Sequence, residues 1–236
     1  MKNINNKRFF TSISLFLILF VGYIYYSAHI NIISADLLKS KEMKFDYKGN
    51  EIHIKNFDFD APTPSKNECK DFELSNFLKW RNVVSAEAKS LVIKEKQNKN
   101  QSIYFKTRSN TELSHFYRLD VASPKSNIVD LLIYTDHKNR IKLIKLNKLI
   151  SQHEGSEESI YFHPKSGIIS YSLSAFEYRS GFSSNFTETE SHTAIVCKDQ
   201  IIDNFNLSSI NNQKIIHSVY GIKKVSQKII SEILKK

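Results

Sequence analysis

The run FFTSISLFLILFVGYIYYSAHINII, Phe9 to Ile33, passes through 25 residues without one Asp, Glu, Lys or Arg. As a helix rising about 1.5 Å per residue it would measure roughly 37 Å, enough to cross a hydrocarbon layer of about 30 Å with some tilt. That reading sets the expected architecture, a single transmembrane helix at the N-terminus followed by a folded domain. Lys2, Lys7 and Arg8 precede the run and the first acidic residue is Asp36. The basic flank is expected to stay inside. Residues 1–8 then form a cytoplasmic tail, 9–33 a signal anchor and 34–236 an exported soluble domain.

A basic start and an apolar core also begin a cleavable signal peptide. Tyr26-Ser27-Ala28 puts a bulky ring where cleavage needs a small residue, and Ile33-Ser34-Ala35 lies far from the basic end. An uncleaved anchor is therefore preferred over cleavage after Ala35, and Tyr23, Tyr25 and Tyr26 suit a membrane–water boundary.

The remainder has the composition of one water-soluble fold. Mean hydropathy is −0.36 despite the apolar run, and 16 Phe and 11 Tyr accompany 25% charged residues, which argues against disorder. Three basic residues precede the span, so the rest carries 31 basic against 24 acidic residues, a net charge of +7. Such a charge suits solubility or an acidic surface or partner. Nucleic acid is not expected as a partner, since the expected compartment holds little of it.

Met43, Phe45 and Tyr47 alternate with Lys44, Asp46 and Lys48. Gly49-Asn50 reads as a turn, and Ile52 and Ile54 alternate with Glu51, His53 and Lys55. This is a hairpin pattern. From Ser65 to about Ala88 the apolar spacing is helical, and Leu91–Lys96 with Ser102–Thr107 reads as a second hairpin. Strands are expected over Leu113–Val121, Ile128–Thr135, Ile141–Leu146, Ile160–Phe162 and Ile168–Leu173, with a loop over Gln152–Ser159. The stripe Ile222, Val225, Ile229, Ile230, Ile233 and Leu234, separated by lysines, reads as a terminal amphipathic helix covering one face of a sheet. The fold class expected is α+β: the transmembrane helix, then a mostly antiparallel sheet with flanking helices.

Few residues suggest chemistry. Cys69 and Cys197 are the only cysteines, and in an oxidising compartment they are candidates for one disulfide. Glu188, Glu190 and His192 are spaced i, i+2, i+4, which in a strand would put three potential cation ligands on one face. Asp58 and Asp60 would likewise share a face, but supply too few ligands alone. A Gly-x-Ser-x-Gly elbow and paired metal-ligand spacings are missing from the sequence, so no cofactor, resident metal or catalytic residue is assigned, and the chain reads as non-enzymatic more readily than as an enzyme.

The functional expectation follows from the anchor. The chain would be a single-pass protein of a bacterial inner membrane, its basic domain in the periplasm binding a protein or envelope partner in an accessory, assembly or immunity-type role. A membrane-anchored hydrolase acting on envelope polymers is the alternative.

Overall fold

Lys48 and Gly49 both have positive φ, 55° and 80°, the backbone of a type I′ turn whose twist matches the strands it joins. The Asp46 carboxylate accepts the Gly49 N–H at 3.0 Å and holds it. The turn joins β1 (Glu42–Tyr47) to β2 (Asn50–Lys55), with Tyr47 opposite Asn50. In this computed structural model the residues described are 32–40, 42–55, 57, 59, 73–97, 112–122, 127–149, 154–164, 166–178, 186–197, 200–205 and 212–235.

The sheet continues through β3 (His115–Val121), β4 (Ile128–Thr135), β5 (Ile141–Leu149), β6 (Glu154–Phe162), β7 (Ile169–Tyr178), β8 (Phe186–Cys197) and β9 (Gln200–Phe205). Among the described residues it is one nine-stranded sheet of order β2-β1-β3-β4-β5-β6-β7-β8-β9, every neighbour antiparallel. The edges are β2 and β9. Among the described residues three helices accompany it: α1 (Ile33–Leu38), α2 (Leu74–Gln97) and α3 (Asn212–Leu234).

Strand alternation divides the apolar residues between two faces. The inner face carries Phe45, Leu119, Leu131, Ile133, Ile144, Leu146, Ile160 and Tyr171, all fully buried, beneath α1 and α3. Helix α3 touches α1, β5 and both edge strands, turning Ile215, Ile216, Val219, Ile222, Val225, Ile229 and Ile230 inward. Gly221 sits where it meets α1, because a Cβ there would lie 2.6 Å from a methyl of Leu38. The outer face carries Leu132, Tyr134, Leu143 and Tyr161, packed with Leu113 against Val84, Ala88 and Leu91 of α2. Phe77, earlier on α2, packs with Ile168 and Ile195. Glu87 of α2 accepts the N–H groups of Glu112 and Leu113 at 3.3 and 2.9 Å, pinning the chain entering β3.

Several expectations are corrected. Among the described residues no helix is long and apolar enough to cross a membrane. Residues 9–31 of the expected span lie outside the described residues, and its last two, Ile32 and Ile33, are fully buried in the domain. From Ile33 the chain forms α1, which packs on the sheet and α3. Ile32–Lys236 forms one compact unit. The transmembrane helix, the single-pass inner-membrane topology with a periplasmic domain, and the membrane as partner are therefore not supported. The α+β class with an antiparallel sheet stands.

Locally, the first turn is Lys48-Gly49, with Asn50 already in β2. Leu91–Lys96 continues α2 instead of opening a hairpin; Ser102–Thr107 lies outside the described residues, as do residues 65–72 of the expected helix. Most of the expected loop Gln152–Ser159 is strand β6. The terminal helix covers the inner face as its apolar stripe implied, although it begins earlier, at Asn212.

Candidate functional site

The sheet presents two polar arrangements, one on each face. On the inner face, α1 sets its first turn against β6. Glu158 is fully buried; its Oε2 accepts the Ser34 N–H at 2.7 Å and its Oε1 accepts the Ser34 hydroxyl at 2.5 Å. Burial pushes the Glu158 carboxyl up to about 7, although bonds from Ser34 and the Ile33 N–H favour the charged form. Tyr171, on the neighbouring strand, is held well above its ordinary range, first by burial and then by the charge of Glu158. Asp36 of α1 adds to the pressure on Glu158 and is itself 3.4 Å from Lys148 Nζ. This buried carboxyl fastens the start of the domain to the sheet.

The outer face differs because α2 packs at one end of it. Towards the other end the register aligns a cross-strand row: Asp46 opposite Asp120, Asp120 opposite Asp130, Asp130 opposite Asn147, Asn147 opposite Glu157, Glu157 opposite Ser174, and Ser174 opposite Ser191. A second row, two residues along each strand, runs Arg118, Leu132, Lys145, Ser159, Ser172 and Thr193. Carboxylates directly opposite one another repel, and the second row supplies the compensation. Arg118 lies 3.2 Å from Asp130, and Lys145 lies 2.6 Å from Glu157. Asn147 donates to Asp130 at 2.6 Å and the Ser159 hydroxyl donates to Glu157 at 2.9 Å. Burial raises the Asp130 carboxyl despite Asn147 and Arg118, with Asp120 and Glu157 adding to the rise. The result is a band of fixed acceptors, two cations and a run of hydroxyls whose geometry is set by the sheet.

At the end of β4, the Asp136 carboxylate accepts from Lys138 N, Arg140 N and Arg140 Nε at 2.9, 3.0 and 2.7 Å. Burial works against the charged form, but these bonds outweigh it and hold Asp136 below the usual carboxylate range. Buried Lys142 reaches Glu112 at 3.2 Å and Asp136 at 3.8 Å. This cluster shapes the β4–β5 turn.

The described residues include only some of those singled out from sequence. Glu188, Glu190 and His192 all lie on β8, but a register irregularity falls between Ala175 and Phe176, whose partners are Glu190 and Glu188. One strand advances by one residue while the other advances by two, so the i, i+2, i+4 spacing no longer implies one shared face. His192 is buried on the inner face, opposite Leu173. Among the described residues no group of three or more His, Cys, Asp or Glu converges as a metal site. Asp58, Asp60 and Cys69 lie outside the described residues. The expected Cys69–Cys197 disulfide is not established, because no bridge joins two described residues; Cys197 is buried at the end of β8 and is not a free thiol.

Sequence reasoning missed Glu158, Asp130 and Arg118. Its usable signal was the alternation in EGSEESIYF, which places Glu157 and Glu158 on opposite faces. The functional expectations also lose their premise. A membrane-anchored accessory or immunity-type protein and a membrane-anchored hydrolase both required the anchor, and nothing in the described residues supports a particular protein or envelope partner. Comparison with protein-family models, curated proteins and solved structures gives no match.

Proposed function

We propose that the domain is a non-catalytic binding module for a neutral polyhydroxylated ligand, an oligosaccharide in chemical class, received on the polar end of the outer sheet face. The observation that carries this reading is the pair of cross-strand rows. Sugar hydroxyls are donors and acceptors at once, and a surface that fixes carboxylate acceptors, an amide, two cations and several hydroxyls at strand spacing offers both. The carboxylates are already partly neutralised by Arg118 and Lys145, which suits an uncharged ligand better than a strongly cationic one. Little rearrangement is needed, because the sheet has already ordered these side chains.

The test is isothermal titration of the full chain with maltohexaose and with chitotetraose. Saturable binding to either is expected, weakened at least tenfold by Asn147→Ala, which removes the amide at the centre of the first row. Absence of saturable heat with both probes at millimolar concentration would overturn the reading.

A further inference from the structure

We propose that edge strand β2 is a self-association surface, and that two copies of this chain join by antiparallel β2–β2 pairing centred on His53. The sequence Asn50-Glu51-Ile52-His53-Ile54-Lys55-Asn56 is palindromic except at one pair of positions, Glu51 and Lys55, where the residues carry opposite charge. Turned about a two-fold axis through His53, the strand places Ile52 against Ile54, Glu51 against Lys55 and His53 against its own copy. That is the self-complementarity an isologous interface requires.

Backbone parity agrees independently. Tyr47 and Asn50 close a two-residue hairpin, so they form a hydrogen-bonded pair, and such pairs alternate along an antiparallel ladder. Asn50, Ile52 and Ile54 therefore turn their N–H and C=O groups towards β1. Glu51, His53 and Lys55 turn theirs away from β1, to the outer edge of the strand that is terminal among the described residues. In the register centred on His53 these residues meet one another, giving reciprocal N–H···O=C bonds at the His53 pair and at both flanking Glu51–Lys55 pairs. A register shifted by one residue would oppose groups that point away.

Charge favours the same partner. Within the hairpin, Asp46 stands directly opposite Glu51, an unfavourable pairing of like charges. Lys44, 3.8 Å from Glu51, and His53, 2.8 Å from it, relieve the pairing only in part. Lys55 of a second copy would lie beside Glu51 on its other side. The side chains of Glu51 and Lys55 are 57% and 65% exposed; Lys55 already lies 3.6 Å from Glu42 within the hairpin, and Glu51 of the second copy would share that lysine. Edge strands ordinarily carry lysine to discourage pairing; here each lysine is matched by a glutamate in the self-paired register and repels most others.

Sedimentation equilibrium of the full chain tests the proposal. The wild type is expected to form dimers, Lys55→Glu and Glu51→Lys each to weaken dimerisation at least tenfold, and the double exchange to restore it. His53→Pro, which deletes the central donor at an edge position, is expected to give a monomer with an unchanged far-ultraviolet spectrum. A wild type that stays monomeric at 100 μM would overturn the proposal. So would association that ignores the single charge reversals, because it would arise elsewhere on the chain, or single reversals whose effect the double exchange fails to reverse.

Discussion

Glu157 and Glu158 are consecutive on β6 and inhabit opposite surroundings. Glu157 lies on the outer face, its side chain 36% exposed and ion-paired with Lys145, whereas Glu158 is fully buried on the inner face against Ser34. One step along a strand moves a side chain from one face to the other. The inner face is largely apolar beneath two helices, and its buried carboxyl, Glu158, sits where α1 supplies donors. The outer face is apolar only where α2 packs and polar beyond. Most of the fully buried apolar side chains lie on the first face, and the cross-strand polar rows lie on the second.

The widest contrast should appear in truncations. Leu131→Ala or Ile133→Ala, each at a fully buried inner position, is expected to cost about 2–5 kcal/mol in urea unfolding. Ser172→Ala on the outer face should fall within about 0.5 kcal/mol. Equal costs would break the division between the faces.

A smaller effect concerns pH. The folded value of Glu158, about 7, lies above its ordinary 4.5, so the folded state binds the proton more tightly than the unfolded chain. Its contribution is complete below about pH 4.5 and is lost as pH rises through 7. The loss should amount to roughly 2–3 kcal/mol between pH 4.5 and 8. Glu158→Gln keeps an uncharged side chain at the site and should remove most of this slope. A Gln variant with the wild-type slope would assign the dependence to other groups.

The smallest effect sharpens the outer face. Asp120 stands opposite both Asp46 and Asp130, so Asp120→Asn should stabilise the domain by about 0.2–1 kcal/mol. It should also lower the Asp130 carboxyl, readable by carbon-detected NMR titration, since Asp120 helps to raise it. Destabilisation together with an unmoved Asp130 would mean that the row does not act as an electrostatic unit.

The sequence was most legible where residue type and pattern agreed. Ile128–Thr135, dense in β-branched and apolar residues, is β4 with the expected bounds. It misled where one residue type serves two purposes. Gly155 reads as a loop residue, yet it lies in β6 opposite Phe176, whose ring is 2.7 Å from where a Cβ would stand; the glycine makes room for an aromatic neighbour in the ladder. Leu91-Val92-Ile93 has strand composition, but Val84, Ala88 and Leu91 keep helical spacing on one packed face. Ile32 and Ile33 read as the end of an apolar span because burial in a protein core and in lipid select the same side chains. The polar rows were illegible for another reason. Asp46, Asp120, Asp130 and Glu157 come from separate strands, and only the register brings them together.

In the proposed function, the polar end of the outer face receives a ligand while the inner face holds the fold. Amide chemical-shift mapping during titration with the tighter of the two oligosaccharides tests it most directly. Saturable shifts are expected to cluster at Asn147, Glu157, Ser159, Ser172, Ser174, Ser191 and Thr193, with Leu131, Ile133 and Ile144 unmoved beyond what strand neighbours transmit. Shifts centred on α1, α3 or the inner-face positions, or no saturable shifts, would contradict it.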